Sequence, residues 1–265
     1  QKTQSFQVSF DRVIVKWTKS NNNLIDWTII CLSSIFLIIP LLIILIEGLF
    51  SLHLIDSAIL VSLGRSILVA FGAVIICLFI TFSLGNVIVT SNIRSKVRWL
   101  MESSAYFVIA SSPLVIGTGF FIFLFPIINP IKIVFPMTAL INAIMAVPFS
   151  LRIILPAMQK INQDYGKLSE SIGLRGYAKF LNLTLPRMKR EIGFSVGLIS
   201  ALSIGDLGVV TLFSSPQSGT LPLTIYRLMG SYQMDSAKAA AFLLLISCFF
   251  IFLLSDRLAR SNVKD

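Results

Sequence analysis

The sequence predicts an all-α membrane protein with six transmembrane helices. The first observation is composition: the 265 residues are 55% hydrophobic and 13% charged, with mean hydropathy +0.87, whereas soluble domains carry about 25% charge. The second is segmentation. Six nearly charge-free stretches, 28–47, 66–90, 104–125, 132–151, 192–213 and 236–255, each approach or exceed the roughly 20 residues that cross a hydrocarbon core. The third is charge placement, since 18 of the 22 Lys and Arg fall on one side of those six stretches.

In chain order, residues 1–27 form a polar N-terminal segment with Lys2, Arg12, Lys16 and Lys19. Phe6, Val8 and Phe10 alternate there, as a short strand or an interfacial helix would, and the segment reads as a linker or interfacial element. The region 28–255 then holds the six spans. A modest loop, Glu47 to Arg65, separates the first two, and a short basic connection, Asn92 to Glu102, precedes the third. Pro113 is expected to kink the third span and Pro126 and Pro130 to end it. The fourth carries Pro136 near its start and Pro148 near its end. The fifth contains one charge, Asp206, and is followed by a Ser/Pro/Gly-rich loop, 214–235, with a less polar middle from Leu221 to Met229. Lys238 starts the sixth span and can snorkel, and 256–265 is a polar tail.

Basic residues sort to the cytoplasmic side of a membrane. The majority lie in the N-terminal segment, the 92–102 connection, the long loop after the fourth span and the tail. The minority are Arg65, Lys132, Arg227 and Lys238. Both termini of this segment and the long loop are therefore expected in the cytoplasm, in a multi-pass membrane protein. The net charge of +10 serves topology rather than nucleic-acid binding. Cys31, Cys77 and Cys248 lie far apart in apolar stretches and match no metal spacing. His53 is the single histidine, so no His-based relay can be built. The chain begins with Gln1 rather than Met and reads as part of something longer.

The long loop, 158–191, is patterned throughout. Ile161, Tyr165, Leu168 and Ile172 recur at helical spacing. Gly173 and Gly176, with Leu174 and Arg175 between them, suit a tight turn between helices. Tyr177, Phe180 and Leu181 begin a second apolar stripe that ends before Pro186. A helical hairpin with one apolar side suits a surface that docks a soluble partner.

Those residues resemble the cytoplasmic loop signature of binding-protein-dependent ABC importer permeases. That signature is an EAA triplet, three residues, Gly, nine residues, Ile, one residue and Leu-Pro. Gly173 is followed at the family's spacing by Leu185 and Pro186, with Leu183 in the Ile position. The triplet falls on Lys167, Leu168 and Ser169 and is lost; Glu170 stands three positions out of register. The resemblance implies a type I ABC importer transmembrane domain in which 158–191 couples to an ATPase subunit. The coupling residues it implies are Tyr165, Lys167, Leu168, Ser169, Glu170, Gly173, Arg175, Gly176, Leu185 and Pro186.

Asp206, in LSIGDLGVVTLF, is a carboxylate at membrane depth. Such groups usually face a cavity or a partner. It either lines the translocation path and attracts a cationic solute, or is a structural carboxylate bonded to a neighbouring helix. Likewise, the Leu221–Tyr226 region either docks a solute-binding protein or plugs the helix bundle. Arg187, Lys189 and Arg190 read as headgroup anchors.

The last third, from LSIGDLGVVTLF through TLPLTIYRLMGSY to the closing SNVKD, resembles the C-terminal half of bacterial thiamine importer permeases, which are two fused six-span halves. That implies import of thiamine and its phosphates, with ferric iron an alternative within related permeases. It also implies a periplasmic solute-binding protein, a dimer of cytoplasmic ATP-binding subunits, and a second six-span half from the same polypeptide. No GxxxxGK[ST] loop occurs in the chain, so no cofactor is expected in it, and ATP and Mg belong to the partner subunit. A secondary transporter would usually carry several intramembrane ionisable groups. An intramembrane enzyme would need a catalytic constellation that the spans do not offer.

Overall fold

The computed structural model describes residues 23–90, 99–100, 103, 107–129, 133–174, 176–213 and 219–261. The expectations for 1–22, for most of the 92–102 connection, for Arg175 and for the end of the tail lie outside the described residues.

The chain is helical, and no strand occurs among the described residues. Helix α1 runs Asn23–Phe50, α2 Ser57–Thr90, α3 Pro113–Leu124 and α4 Val134–Ser171. The hairpin's return arm is segmented into α5 (Gly176–Lys179), a π-helical turn (Phe180–Thr184) and α6 (Leu185–Arg187). Then come α7 (Lys189–Ile204), α8 (Gly208–Phe213), α9 (Leu221–Gly230) and α10 (Met234–Ser261).

Two compact units divide the chain, 1–43 and 44–265. In the first, the side chains of α1 from Ile25 to Ile43 are exposed and mostly apolar. In the second, α2, α4 and α7 enclose a core that includes Ala73, Cys77, Ala143, Ala146, Leu151 and Ile199. Ala73, Ala143 and Ala146 are among its members, small residues that let helices approach where lipid provides no hydrophobic drive between them. Hydroxyls and amides tie the same helices. Ser150 Oγ of α4 and Ser195 Oγ of α7 are 2.8 Å apart. Helix α7 meets α10 through Gly193 and Gly197, four residues apart on one face. A Cβ on Gly197 would stand 2.6 Å from Ser255 Oγ and 2.8 Å from a Phe252 ring carbon, and one on Gly193 would collide with Ala259.

Four helices are long and apolar enough to cross a membrane: Ile25–Phe50, Ser57–Val89, Val134–Ser171 and Met234–Ala259. They correspond to the first, second, fourth and sixth stretches read from sequence, the fourth from Val134 onward. The chain is thus a multi-helix integral membrane protein, while the other two stretches differ from expectation. Pro113 does not kink the third. It stands in the first turn of α3, where its missing N–H costs nothing, and α3 has only 12 residues. The fifth is broken at Gly205–Leu207 into α7 and α8. The loop expected from Glu47 to Arg65 shrinks, because α2 already begins at Ser57 and carries Arg65 over the Phe135 ring. Lys238 pairs with Glu47 at 2.9 Å and Asp235 at 3.2 Å.

The largest difference concerns α4. The fourth span and the first arm of the hairpin are one helix of 38 residues, about 57 Å long. It runs through Pro148 and Pro156 without ending. A hydrocarbon core is about 30 Å thick, so nearly half of α4 projects beyond it.

Candidate functional sites

The first site is the hairpin. Helix α4 stops in a Schellman arrangement: the N–H of Leu174 donates to the carbonyl of Ser169 (2.8 Å), and that of Gly173 to Glu170 (3.1 Å). This geometry needs a left-handed residue after the cap, and Gly173 supplies it with φ 75°. Gly176, with φ 55°, opens the return arm. The buried Ser169 donates to the carbonyl of Gly166 at 2.7 Å. Lys167 and Glu170 are exposed.

The helical stripe divides along its length. Ile161 packs with Met158, Met188 and Ile192 at the hairpin root. Tyr165 lies beneath the Arg187 guanidinium, 3.8 Å from its ring centre. Further out, Leu168 (58%) and Ile172 (64%) are exposed, joined across the turn by Tyr177 (75%). The root is thus fastened to its own chain, while the tip presents an apolar patch beside charged Lys167 and Glu170. Leu185 and Pro186 lie at the root, where an open apolar groove of about 520 Å³ runs along the outside of the α7–α10 seam.

Sequence reading placed Phe180 in the second apolar stripe but missed the partners that brace the return arm. Lys179 Nζ donates to Asn162 Oδ1 at 2.8 Å, and the Phe180 ring meets Phe82 edge-on at 5.2 Å. With Asn86 and Thr184 they border a cavity of about 240 Å³. Polar Asn86 inside an otherwise apolar span was the available signal.

The second site is Asp206, in the break between α7 and α8. Its carboxylate lies close to the backbone N–H groups of Gly208 and Val209, which begin α8, and to the Asn142 side chain, an arrangement that suits a structural role. One oxygen, Oδ2, is buried and has no hydrogen-bond partner among the described residues, which a purely structural carboxylate would avoid. Asn142 of α4 in turn donates to Ser203 Oγ at 3.1 Å and to the Ser203 carbonyl at 3.4 Å. Asp206 and Asn142 border a partly open cavity of about 170 Å³ whose remaining wall is largely apolar. Asn142 was not singled out from sequence; an amide inside a charge-free span was the signal.

Helix α9 is buried on one side and exposed on the other. Leu221, Pro222 and Leu223 are buried, and the Leu221 N–H donates to Ser66 Oγ of α2 at 2.8 Å. Tyr226 and Met229 face outward, followed by Tyr232 at 88% exposure. Among the described residues no group of three or more His, Cys, Asp or Glu side chains is placed to hold a metal ion.

No family model matches the chain. It is similar to the thiamine transport system permease protein ThiP of Escherichia coli (strain K12), with 28% identity over 251 residues, covering 92% of this chain and 46% of that protein. The ThiP protein of Brucella abortus (strain 2308) is 27% identical over 247 residues, covering 92% and 45%. The sulfate transport system permease protein CysW of Synechococcus elongatus is 32% identical over 121 residues, covering 44% and 42%. The chain spans about half the length of the two ThiP proteins. A membrane-helix bundle, similar along nearly its whole length to such proteins, makes this chain a relative of transport-system permease proteins, with ThiP proteins matched over the greater part of it.

Proposed function

We propose that this chain is the six-span permease half of an ATP-driven ABC importer of the bacterial inner membrane, carrying thiamine and its phosphates. The similarity to ThiP proteins over 92% of the chain is the observation that carries this reading. Their roughly doubled length favours a second six-span half elsewhere in the same polypeptide. The shorter match to a sulfate permease protein supports the transporter class without favouring the solute. Broken or short helices at the third and fifth stretches are compatible with six crossings, since non-helical backbone at membrane depth is tolerated inside protein or beside a cavity.

In this reading the chain hydrolyses nothing and holds no cofactor. ATP and Mg sit on a cytoplasmic dimer of ATP-binding subunits. The hairpin 158–191 couples to it: Leu168, Ile172 and Tyr177 enter a groove on the partner, flanked by Lys167, Glu170 and Arg175. Ser169, Gly173 and Gly176 shape the tip, while Tyr165, Leu185 and Pro186 hold the root. Asp206 lines the translocation path. The outward side of α9 receives a periplasmic solute-binding protein, and both termini of this segment lie in the cytoplasm. Lipid and the second half cover the exposed apolar side of α1.

The test is uptake of radiolabelled thiamine by a strain lacking its own permease, complemented with the full-length gene and its ATP-binding partner, against ferric iron as the competing solute. ATP-dependent thiamine uptake is the expected outcome. Ferric iron uptake without thiamine uptake would overturn the solute, and uptake of neither the function.

A further inference from the structure

The cavity at the hairpin root holds a charge that its own chain does not answer. Lys179 is half-buried there, and its Nζ donates to Asn162 Oδ1 at 2.8 Å. That acceptor is neutral, and among the described residues no carboxylate pairs with Lys179. Burying part of an ammonium without a counter-charge costs solvation. An ammonium has three N–H donors, so those not used by Asn162 remain for another acceptor.

The groups around it are donors too. Because Asn162 Oδ1 accepts from the lysine, the amide nitrogen of Asn162 is left to donate. The buried Thr184 hydroxyl and the Asn86 side chain border the same space, and no Asp or Glu does. These groups come from α2, α4 and the return arm. One positive charge among neutral donors selects an anion. The wall has no Arg fork of the kind that matches a planar carboxylate, whereas Lys serves a phosphoryl group as a point charge. The cavity of about 240 Å³ exceeds the roughly 150 Å³ that admits a benzene-sized ring. Met158, Ile161 and Phe180 give it an apolar side, so it has room for a carbon portion beside the anionic group.

We propose that this cavity is a binding site for a small phosphate monoester, with the phosphoryl group between Lys179 Nζ, the Asn162 amide and the Thr184 hydroxyl, and the carbon portion against Met158 and Phe180. A ligand so held ties the return arm to α4 and steadies the hairpin. The site goes beyond the proposed function and is independent of the solute carried. A soluble ester and a lipid headgroup offer the same phosphoryl chemistry, and the test separates them.

The test follows hydrogen exchange of 176–187 in the full-length protein, purified with its ATP-binding subunit in phosphatidylcholine nanodiscs. The soluble probe is phenyl phosphate, against sodium acetate at equal ionic strength. A second preparation carries phosphatidic acid in the nanodiscs and no soluble phosphate. At ten times its dissociation constant, the bound ester should slow exchange about 10-fold. Lys179→Gln keeps an amide donor but no charge, and should weaken binding about 10-fold or more; Thr184→Val should weaken it several-fold. Phosphate at the subunit's nucleotide site acts alike on wild type and variants, so their difference reports this cavity. Protection by phenyl phosphate, or by phosphatidic acid alone, supports the site and identifies the source. Protection by neither, equal protection by acetate, or a response unchanged in Lys179→Gln overturns it. Should Lys179→Gln not assemble, Thr184→Val decides: a weaker response supports the site, and an unchanged one overturns it. The readout involves no uptake, so a failed thiamine assay leaves the site standing, and loss of the site leaves the transport reading in place.

Discussion

The Arg187 guanidinium lies 3.8 Å from the centre of the Tyr165 ring, joining the two arms of the hairpin near its root. Cation–π contacts contribute about 0.5–2 kcal/mol depending on desolvation. Tyr165→Leu should keep most of the packing but lose the contact, loosening the return arm. Hydrogen exchange of 176–187 should rise several-fold while α7 is unaffected. Arg187→Gln should reproduce the effect, and the double variant should add little. Additive effects of the two would show that the residues do not act as a pair.

Gly173 separates two kinds of constraint. No heavy atom lies within 4 Å of the point a Cβ would occupy there, but φ is 75°, so within this chain the cost of a side chain is conformational. For a β-branched residue that cost is about 1–2 kcal/mol. Gly173→Val should weaken association with the ATP-binding subunit and reduce uptake at normal membrane levels. Gly173→Asn, which tolerates the left-handed region, should retain most of both. Pull-down and uptake from the same membranes decide it. Equal loss in both variants would mean that the partner's surface, not φ, excludes a side chain.

The seam between α7 and α10 should be the least tolerant part of the bundle. Gly197→Leu drives a side chain into Ser255 and Phe252, and overpacking typically costs about 1–3 kcal/mol or more. The thermal midpoint of the purified protein should fall and its yield drop. Gly119→Leu, on α3 with open space around it, should leave both near wild type. Similar melting of the two variants would argue that α7 and α10 do not meet this closely.

Orientation can be read with single cysteines in a cysteine-free background. Tyr232 is 88% exposed after α9, and Lys167 is exposed on the hairpin. The 18-to-4 basic asymmetry leads us to expect Tyr232→Cys to react with an impermeant thiol reagent in intact spheroplasts and Lys167→Cys only after lysis. The opposite pattern would invert the topology.

How far the sequence spoke depended on range. Apolar runs of membrane length located α1, α2, α4 and α10, and two glycines three residues apart located the turn at Gly173 and Gly176, because both signals are local. That the fourth span and the first arm of the hairpin are one helix was not read, since polarity changes near Met158 while helix-forming residues continue to Ser171; a change of solvent is not a change of backbone. Pro113 was legible as a breaker but not as a helix start, and Gly205 did not announce a break before Asp206. The Asn142–Ser203 bond joins residues 61 positions apart, and nothing in either segment names the other. The split of the hairpin stripe into a packed root and an exposed tip likewise depends on what Arg187 and Met188 bring back from the far arm.

Helix α4 has a mechanical consequence. Asn142, beside the Asp206 cavity, and Ile172, at the hairpin tip, lie on one unbroken helix about 45 Å apart. A tilt of about 5° around Asn142 carries the tip some 4 Å, by the lever ratio of a rod that long. Motion of the tip and rearrangement of the cavity are then linked through one helix, in which Pro148 and Pro156 are the points where bending can absorb part of the motion. Thermodynamic reciprocity follows: whatever free energy a bound solute gains from one tilt of α4 must appear as preference of the tip's partner for that same tilt.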